Sequence, residues 1–480
     1  MVKIFIADPA LKTHQGHHYN VTLAFALSIK KQGFDVTILA NQSLNMGSVI
    51  LGVPIKSVFS TDTYSKHKVN IEKSRRPLKI NMSSNSAPDI TSKVENFILL
   101  NQKILRRIAP EWFLKKIKKL LKNHLFKEIP FENFSKDTLA AIFHKYKVTK
   151  DDFVFFHTAD AETYKDVVNL FVKDVSVGSW GNLPRILLSS PYDEKIMPHN
   201  NQSNSANISV LHLKKLQLVN YKVFLFAENE ILSEHMSDYF TCKVDALYVP
   251  FKKSCNTSKT HARDSIITFS YLGAARSEKG FVLVVEAVIK FLSKSSRRNV
   301  KFLIQASPQI LGYTYDIKKA VDRLKLVNDE RLEILYSSQS PEEYDKSLAA
   351  TNCFFLCYNY ANYQYRSSGI VIEALVSAKN AIVTKGTFPD KILGVAGISI
   401  ENVDDIVLAI DKFINQKKLY EKKALNREQW FISRCEVNSF YSNISNINKY
   451  KNTINKEIKE IKEIKEIKEV KAKYKYKKLL

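Results

Sequence analysis

Two short runs in this chain carry residue types that can hold a phosphorylated ligand. In the first, Tyr365-Arg366-Ser367-Ser368-Gly369 leads into an apolar stretch that contains Glu373. Ile370, Val371, Ala374, Leu375 and Ala378 recur at helical spacing, so the stretch is predicted to be a helix. Ser367 or Ser368 is placed as N-cap, its hydroxyl accepting from a first-turn amide. Gly369 lets a second group approach the backbone. The open amides and positive dipole end of such a helix suit a phosphate. Glu373 lies one turn further on the same face, where a carboxylate suits the hydroxyls of a ribose. An ordinary amphipathic helix with a solvated Glu fits the same residues. In the second run, Gly273-Ala274-Ala275-Arg276-Ser277-Glu278-Lys279-Gly280 follows an apolar strand and precedes a helix. Arg276 can chelate phosphate oxygens and Lys279 adds a point charge. A strand-to-helix turn with two solvated cations is the plainer alternative.

The elements around these runs alternate strand and helix twice over. In the first half, strands are predicted at Lys3–Ala7, Asp35–Ala40, Phe153–His157, Arg185–Ser190, Tyr221–Ala227 and Asp245–Pro250. A helix runs from His17 to about Gln32, ended by Gly33, and another from Glu228 to Tyr239. Residues 41–89 read as loops and short strands without periodicity. The second half is predicted to run from a strand at Ile266–Leu272 to a helix over Val403–Ile414, followed by a helical segment over Lys418–Ile444. The order is that of doubly wound α/β units, whose ligands bind at the carboxyl ends of the strands. At 480 residues the chain exceeds one compact core. The expected division is 1–251 and 265–430, joined by a polar linker at 252–264. A helix at 431–450 returns to the first domain and a basic low-complexity tail occupies 451–480.

Hydrophobic residues make up 45% of the chain, which excludes wholesale disorder. The net charge of +25 implies an anionic partner. Much of it is local. The segment 101–127 carries +8 and the tail from Lys451 carries +6. Phe113, Ile117, Leu120, Leu121 and Leu125 cover one side of a predicted helix over 110–129, with lysines on the other. That helix suits an anionic membrane surface or packs on its own domain with a solvated Lys face. The Lys-Glu-Ile repeat after Lys456 has a three-residue period that drifts around a helix, so it reads as a solvated tail. Such localised charge favours a surface contact over a nucleic-acid groove, and no nucleic-acid partner is expected. The five cysteines are odd in number, form no CxxC pair and fit a reducing compartment. Cys353 and Cys357 read as core thiols. Met1–Ala7 reads as a strand rather than a signal peptide, and no apolar run reaches the roughly 18 residues that span a bilayer. The expected location is cytoplasmic, peripheral on the inner face of the cell membrane.

The second half resembles the donor domain of retaining GT-B glycosyltransferases of the "glycosyl transferases group 1", family 4-like kind. The resemblance rests on Tyr271 to Gly280, on Ser367-Ser368-Gly369-Ile370-Val371-Ile372-Glu373-Ala374, and on Pro341–Tyr344 and Asn352–Tyr358 between them. It covers about Ile266 to Val383 and extends loosely to the first half. It implies an α/β fold of two Rossmann-like doubly wound domains facing a cleft. It implies that Arg276, Lys279, Ser367, Ser368 and Gly369 hold the donor diphosphate and Glu373 the ribose. On the acceptor side it implies Gly16 and His18 at the cleft, with His157 and His17 as catalytic candidates; a structural role for these histidines stands beside that reading. The implied activity moves a sugar from a nucleotide-diphosphate sugar to a glycan or lipid-linked acceptor with retention of configuration. It needs no cofactor and no metal. The alternatives are a nucleotide-sugar epimerase of the same fold and a non-catalytic basic surface-binding module. Two positions depart from the pattern. Many members have a second glutamate eight positions before Glu373, where this chain has Tyr365. Their Gly-x-Pro turn after the helix is Ala378-Lys379-Asn380 here.

Overall fold

The computed structural model describes residues 2–13, 17–44, 49–60, 139–174, 183–195, 197, 205–251, 266–308 and 312–448. Gly16, the helix expected over 110–129, the linker 252–264 and the tail 451–480 lie outside them.

The central strands of both halves are buried nearly end to end, the pattern of sheets covered on both faces. Strand β1 (Lys3–Asp8) is buried from Ile4 onward. It pairs in parallel with β2 (Asp35–Asn41) on one side and β5 (Phe153–Phe156) on the other. Beyond β5 come β6 (Arg185–Ser190), β7 (Val223–Ala227) and the short β8 (Asp245–Ala246), again parallel. Beyond β2 lies β4 (Val53–Phe59), with β3 (Val49–Ile50) folded antiparallel onto it at the edge. Residues 53–59 show no legible periodicity because this strand, covered by only two residues of β3, is half-solvated: Lys56 and Ser57 are exposed beside buried Val53, Ile55 and Val58.

The second sheet contains β9 (Ile267–Tyr271), β10 (Val300–Gln305), β11 (Leu332–Leu335), β12 (Cys353–Leu356), β13 (Asn380–Thr384) and β14 (Gly397–Ile400). Its spatial order is β11-β10-β9-β12-β13-β14, parallel throughout. In chain order this is the 3-2-1-4-5-6 winding of a dinucleotide-binding sheet. Phe269 anchors the core, its ring stacked on Phe302 and Phe355 and met edge-on by Phe413. Burying each such ring contributes about 2 kcal/mol. Cys353 and Cys357 are buried thiols in and just after β12.

The helices start where local chemistry says they should. Ser340 and Glu343 form a capping box before Pro341–Ala350, and Asn402 and Asp405 form another before Val403–Asn415. The helix expected from Glu228 begins at Glu230 instead. Asn229 is its N-cap, accepting from the Leu232 amide at 2.8 Å. The single helical segment expected over Lys418–Ile444 is broken. Lys417–Val437 ends at Asn438, whose carbonyl accepts from the Tyr248 amide. Residues 440–448 then place Phe440, Ile444 and Ile447 in the core of the first sheet. Asn443 holds them there, donating to the Ala246 carbonyl at 3.2 Å.

Among the described residues, no helix is long and apolar enough to cross a membrane.

Candidate active site

Each sheet reverses its winding once, between β1 and β5 in the first and between β9 and β12 in the second. At such a point neighbouring loops diverge and leave a crevice beyond the strand ends. The chemistry-bearing residues collect at both.

In the second sheet the turn after β9 is built on two glycines. Gly273 has φ +104°, and its amide donates to Gln305 Oε1 at 2.7 Å. A Cβ there would lie 3.2 Å from Ile370, so this turn touches the start of the Gly369–Val376 helix. Gly280 has φ +72°, and a Cβ would lie 1.9 Å from the Cys357 carbonyl oxygen. Only glycine fits. The turn after β12 is tied to the same place, with the Asn359 amide donating to the Glu278 carbonyl at 2.9 Å.

Arg276, Lys279, Ser368, Gly369 and Glu373 are thereby brought together. Lys279 Nζ lies 5.6 Å from the centre of the Tyr358 ring. Burial, then the charges of Arg276 and Arg366, pull its ammonium down to about 8 against weaker support from Glu278 and Glu373. Arg276 pairs with Glu278 at 3.5 Å, yet its Nε is buried with no hydrogen-bond partner. The amides of Gly369 and Ile370 likewise have no partner among the described residues. Open helix-start amides beside two cationic side chains are complementary to an anion. Glu373 accepts from the Tyr344 hydroxyl; burial pushes its carboxyl up while Tyr344 and Lys279 counter the rise.

Two expected details are corrected. Ser368 occupies the N-cap position, but its hydroxyl makes no cap hydrogen bond and instead meets the Tyr358 hydroxyl at 3.0 Å. The Ser367 hydroxyl is likewise not a cap and donates to Glu228, across the boundary between the two sheets.

At the first switch point Asp8, ending β1, meets His157, just beyond β5, at 3.0 Å from Oδ2 to Nε2. Thr22 of the His17–Lys31 helix donates to the same Asp8 oxygen at 2.8 Å and lies 2.7 Å from His157 Nε2. With the Thr22 proton on Asp8, the His157 Nε2–H is shared between the two, and Nδ1 meets the Thr158 hydroxyl at 2.9 Å. His157 is 2% exposed, and both its nitrogens are engaged within the protein. His18 Nδ1 lies 3.1 Å from the other Asp8 oxygen, and His18 is partly exposed. His17 lies in the first turn of its helix, but its side chain is outside the described set. Burial raises the Asp8 carboxyl, and the charges and hydrogen bonds of His157 and His18 outweigh it, holding Asp8 well below the carboxylate range. Ligand-type atoms of Asp8, His18 and His157 all lie within 4.8 Å of one another, a spacing their hydrogen bonds already account for.

Four residues of this region were missed in the sequence: Asp8, Glu228, Tyr344 and Arg366. A signal existed for two of them. Asp8 and Glu228 are each the first acidic residue after a buried apolar run, Ile4–Ala7 and Val223–Ala227. In a parallel sheet that is the ligand-facing edge.

No protein-family model matches the sequence, and no curated protein aligns with it significantly. Solved structures do match. A glycosyltransferase from Rickettsia africae aligns over 95% of this chain and 98% of its own, at 16% identity and TM-score 0.51. An α,α-trehalose 6-phosphate synthase from Burkholderia multivorans covers 95% and 98%, at 10% identity and TM-score 0.53. A structure described as trehalose-6-phosphate from E. coli bound with UDP-2-fluoro glucose covers 90% and 98%, at 9% identity and TM-score 0.54. At these identities the likeness is one of fold. The chain has the GT-B fold, two Rossmann-like α/β units with the carboxyl ends of their parallel sheets turned toward each other.

Proposed function

We propose that the chain is a glycosyltransferase that moves a sugar from a nucleotide-diphosphate sugar to a glycan or lipid-linked acceptor with retention of configuration. The observation that carries this reading is the second switch point. There Lys279 and Arg276 neighbour the open amides of Gly369 and Ile370, with Glu373 a turn away. The diphosphate lies on the cations and amides, and the ribose hydroxyls meet Glu373 in place of the Tyr344 hydroxyl. In the reaction the acceptor oxygen bonds to the anomeric carbon from the face the diphosphate leaves. The carbon–oxygen bond to phosphate breaks with its electron pair on the diphosphate, and the acceptor proton passes to the departing phosphate oxygen. Stabilising that developing charge is the main contribution of the protein. The reading asks for no metal and no cofactor.

On the acceptor side the geometry supports His18 as the histidine that meets substrate. Asp8 orients it, and His157 with Thr22 positions Asp8. The comparison with trehalose-phosphate synthase structures supports glycosyl transfer in general and does not choose the acceptor. The composition of residues 101–127 and of the tail supports attachment to an anionic inner membrane surface. The test is incubation with a panel of nucleotide sugars, with donor cleavage and product analysis. Slow release of free sugar and nucleoside diphosphate supports transfer. An isomerised nucleotide sugar without acceptor would make the protein an epimerase. A folded protein that binds no nucleotide sugar but floats with anionic vesicles would make it a surface-binding module.

A further inference from the structure

One buried carboxylate near the phosphate turn has no task in the site described so far. Glu228 follows β7 in the first half of the chain and is 8% exposed. Ser367 donates its hydroxyl to Oε2. Oε1 has no hydrogen-bond partner among the described residues. Oε1 therefore keeps its lone pairs for a donor that arrives with a ligand. Its surroundings come from both halves, with His157 and His18 from the first switch point and Arg366 from the loop ahead of the Gly369–Val376 helix. Ser367 is two residues before Gly369, whose amide is open. A group extending from a diphosphate at that helix start toward Asp8 and His18 therefore passes Glu228.

Tyr365 is the position where a carboxylate would be sought from the second half, and its ring instead lies on His235. The neighbouring backbone is fixed there too, with Asn229 Nδ2 donating to the Tyr365 carbonyl at 3.1 Å. The geometry points to Glu228 Oε1 as the acceptor of a hydroxyl from the sugar carried on the nucleoside diphosphate. The carboxylate of this subsite then comes from the first half of the chain. Asn229, as N-cap of the next helix, fixes the backbone from which Glu228 projects. The inference rests on the proposed nucleotide-sugar reading and specifies which residue senses the sugar.

The experiment compares two affinities in the full-length protein. Calorimetric titration gives dissociation constants for UDP, GDP and ADP and for the glucose conjugate of each, in wild type, E228Q and E228A. Wild type binds one conjugate more tightly than its diphosphate. In E228Q and E228A that preference falls about tenfold or more, while diphosphate affinity stays within about threefold. An unchanged preference overturns the assignment of Glu228. Equal weakening of diphosphate and conjugate overturns it as well, because Glu228 would then act through Ser367 on the phosphate turn. If wild type binds none of the six, the nucleotide-sugar reading itself fails, and the assignment with it. Should E228A melt early, E228Q, which keeps an acceptor for Ser367, decides the matter.

Discussion

The Tyr365 ring lies flat on the His235 imidazole, centroids 3.9 Å apart and planes 12° from parallel. The stack joins the second half of the chain to the helix Glu230–Phe240 of the first. Beneath it, His235 Nε2 lies 2.5 Å from Glu194 Oε2. The residue that departs from the glycosyltransferase pattern is thus one contact between the two halves. Restoring the pattern is expected to harm rather than help. Y365E removes a ring stack worth about 1 kcal/mol and sets a new carboxylate near Glu194 and Asp193. Chemical denaturation should show lower stability, and nucleotide-sugar affinity should not rise. Tighter binding in Y365E would mean that this position still faces the sugar.

Lys279 gives the site a dependence on pH. Its ammonium sits at about 8, lowered by burial and by Arg276 and Arg366. Two consequences follow in opposite directions. Diphosphate affinity is expected to fall as pH rises through about 8 in the free protein, because the site loses a positive charge. Folding stability should rise over the same range and up to the ordinary lysine value of 10.5, because the unfolded chain then holds a proton that the folded one has released. K279R, which stays charged, should flatten the affinity profile. Titrations between pH 6.5 and 9.5, values chosen to bracket about 8, check the first effect, and melting curves check the second.

Gly280 is expected to tolerate no side chain. G280A meets the Cys357 carbonyl and forces a left-handed backbone on alanine. The conformational term alone costs about 1–2 kcal/mol, and relieving the clash moves the turn that carries Lys279. Lower stability together with weaker diphosphate binding should result. A loss of stability with unchanged binding would separate the turn from the ligand.

Asp8 is expected to matter most in acid. Its folded carboxyl is held below the unfolded value, so its contribution is present above about pH 4 and is lost as pH falls further. D8N removes the charge that faces His157 and His18 in a site 2% exposed, and should cost about 3 kcal/mol near neutrality. The acid limb of its unfolding profile should flatten relative to wild type. Wild-type and D8N profiles that remain parallel down to pH 3, well below about 4, would contradict the pairing.

The second sheet was legible from sequence because its strands are short, largely apolar runs alternating with helical patterns, and its two strand-to-helix turn motifs are local. Arg276 and Lys279 are three residues apart, and Ser368, Gly369 and Glu373 share one helix turn or two. The links that complete the region are distant in sequence. Asp8 and His157 are 149 residues apart, and Glu228 and Ser367 are 139. No periodicity reports such pairs; the sheet order creates them by placing β1 beside β5 and by turning β7 toward the second half. The N-cap expectation failed for a related reason. Ser368 has the right position and the right hydroxyl, but the buried Tyr358 hydroxyl competes for it. The basic helix over 110–129 and the tail fall outside the described residues, so their reading stands on composition alone.

The most direct test of the account is titration of the full-length protein with UDP, GDP and ADP, repeated with R276A. The account expects at least one diphosphate to bind wild type and its affinity to drop about tenfold or more in a folded R276A. Binding to none of them, or equal affinity in the two proteins, would contradict it.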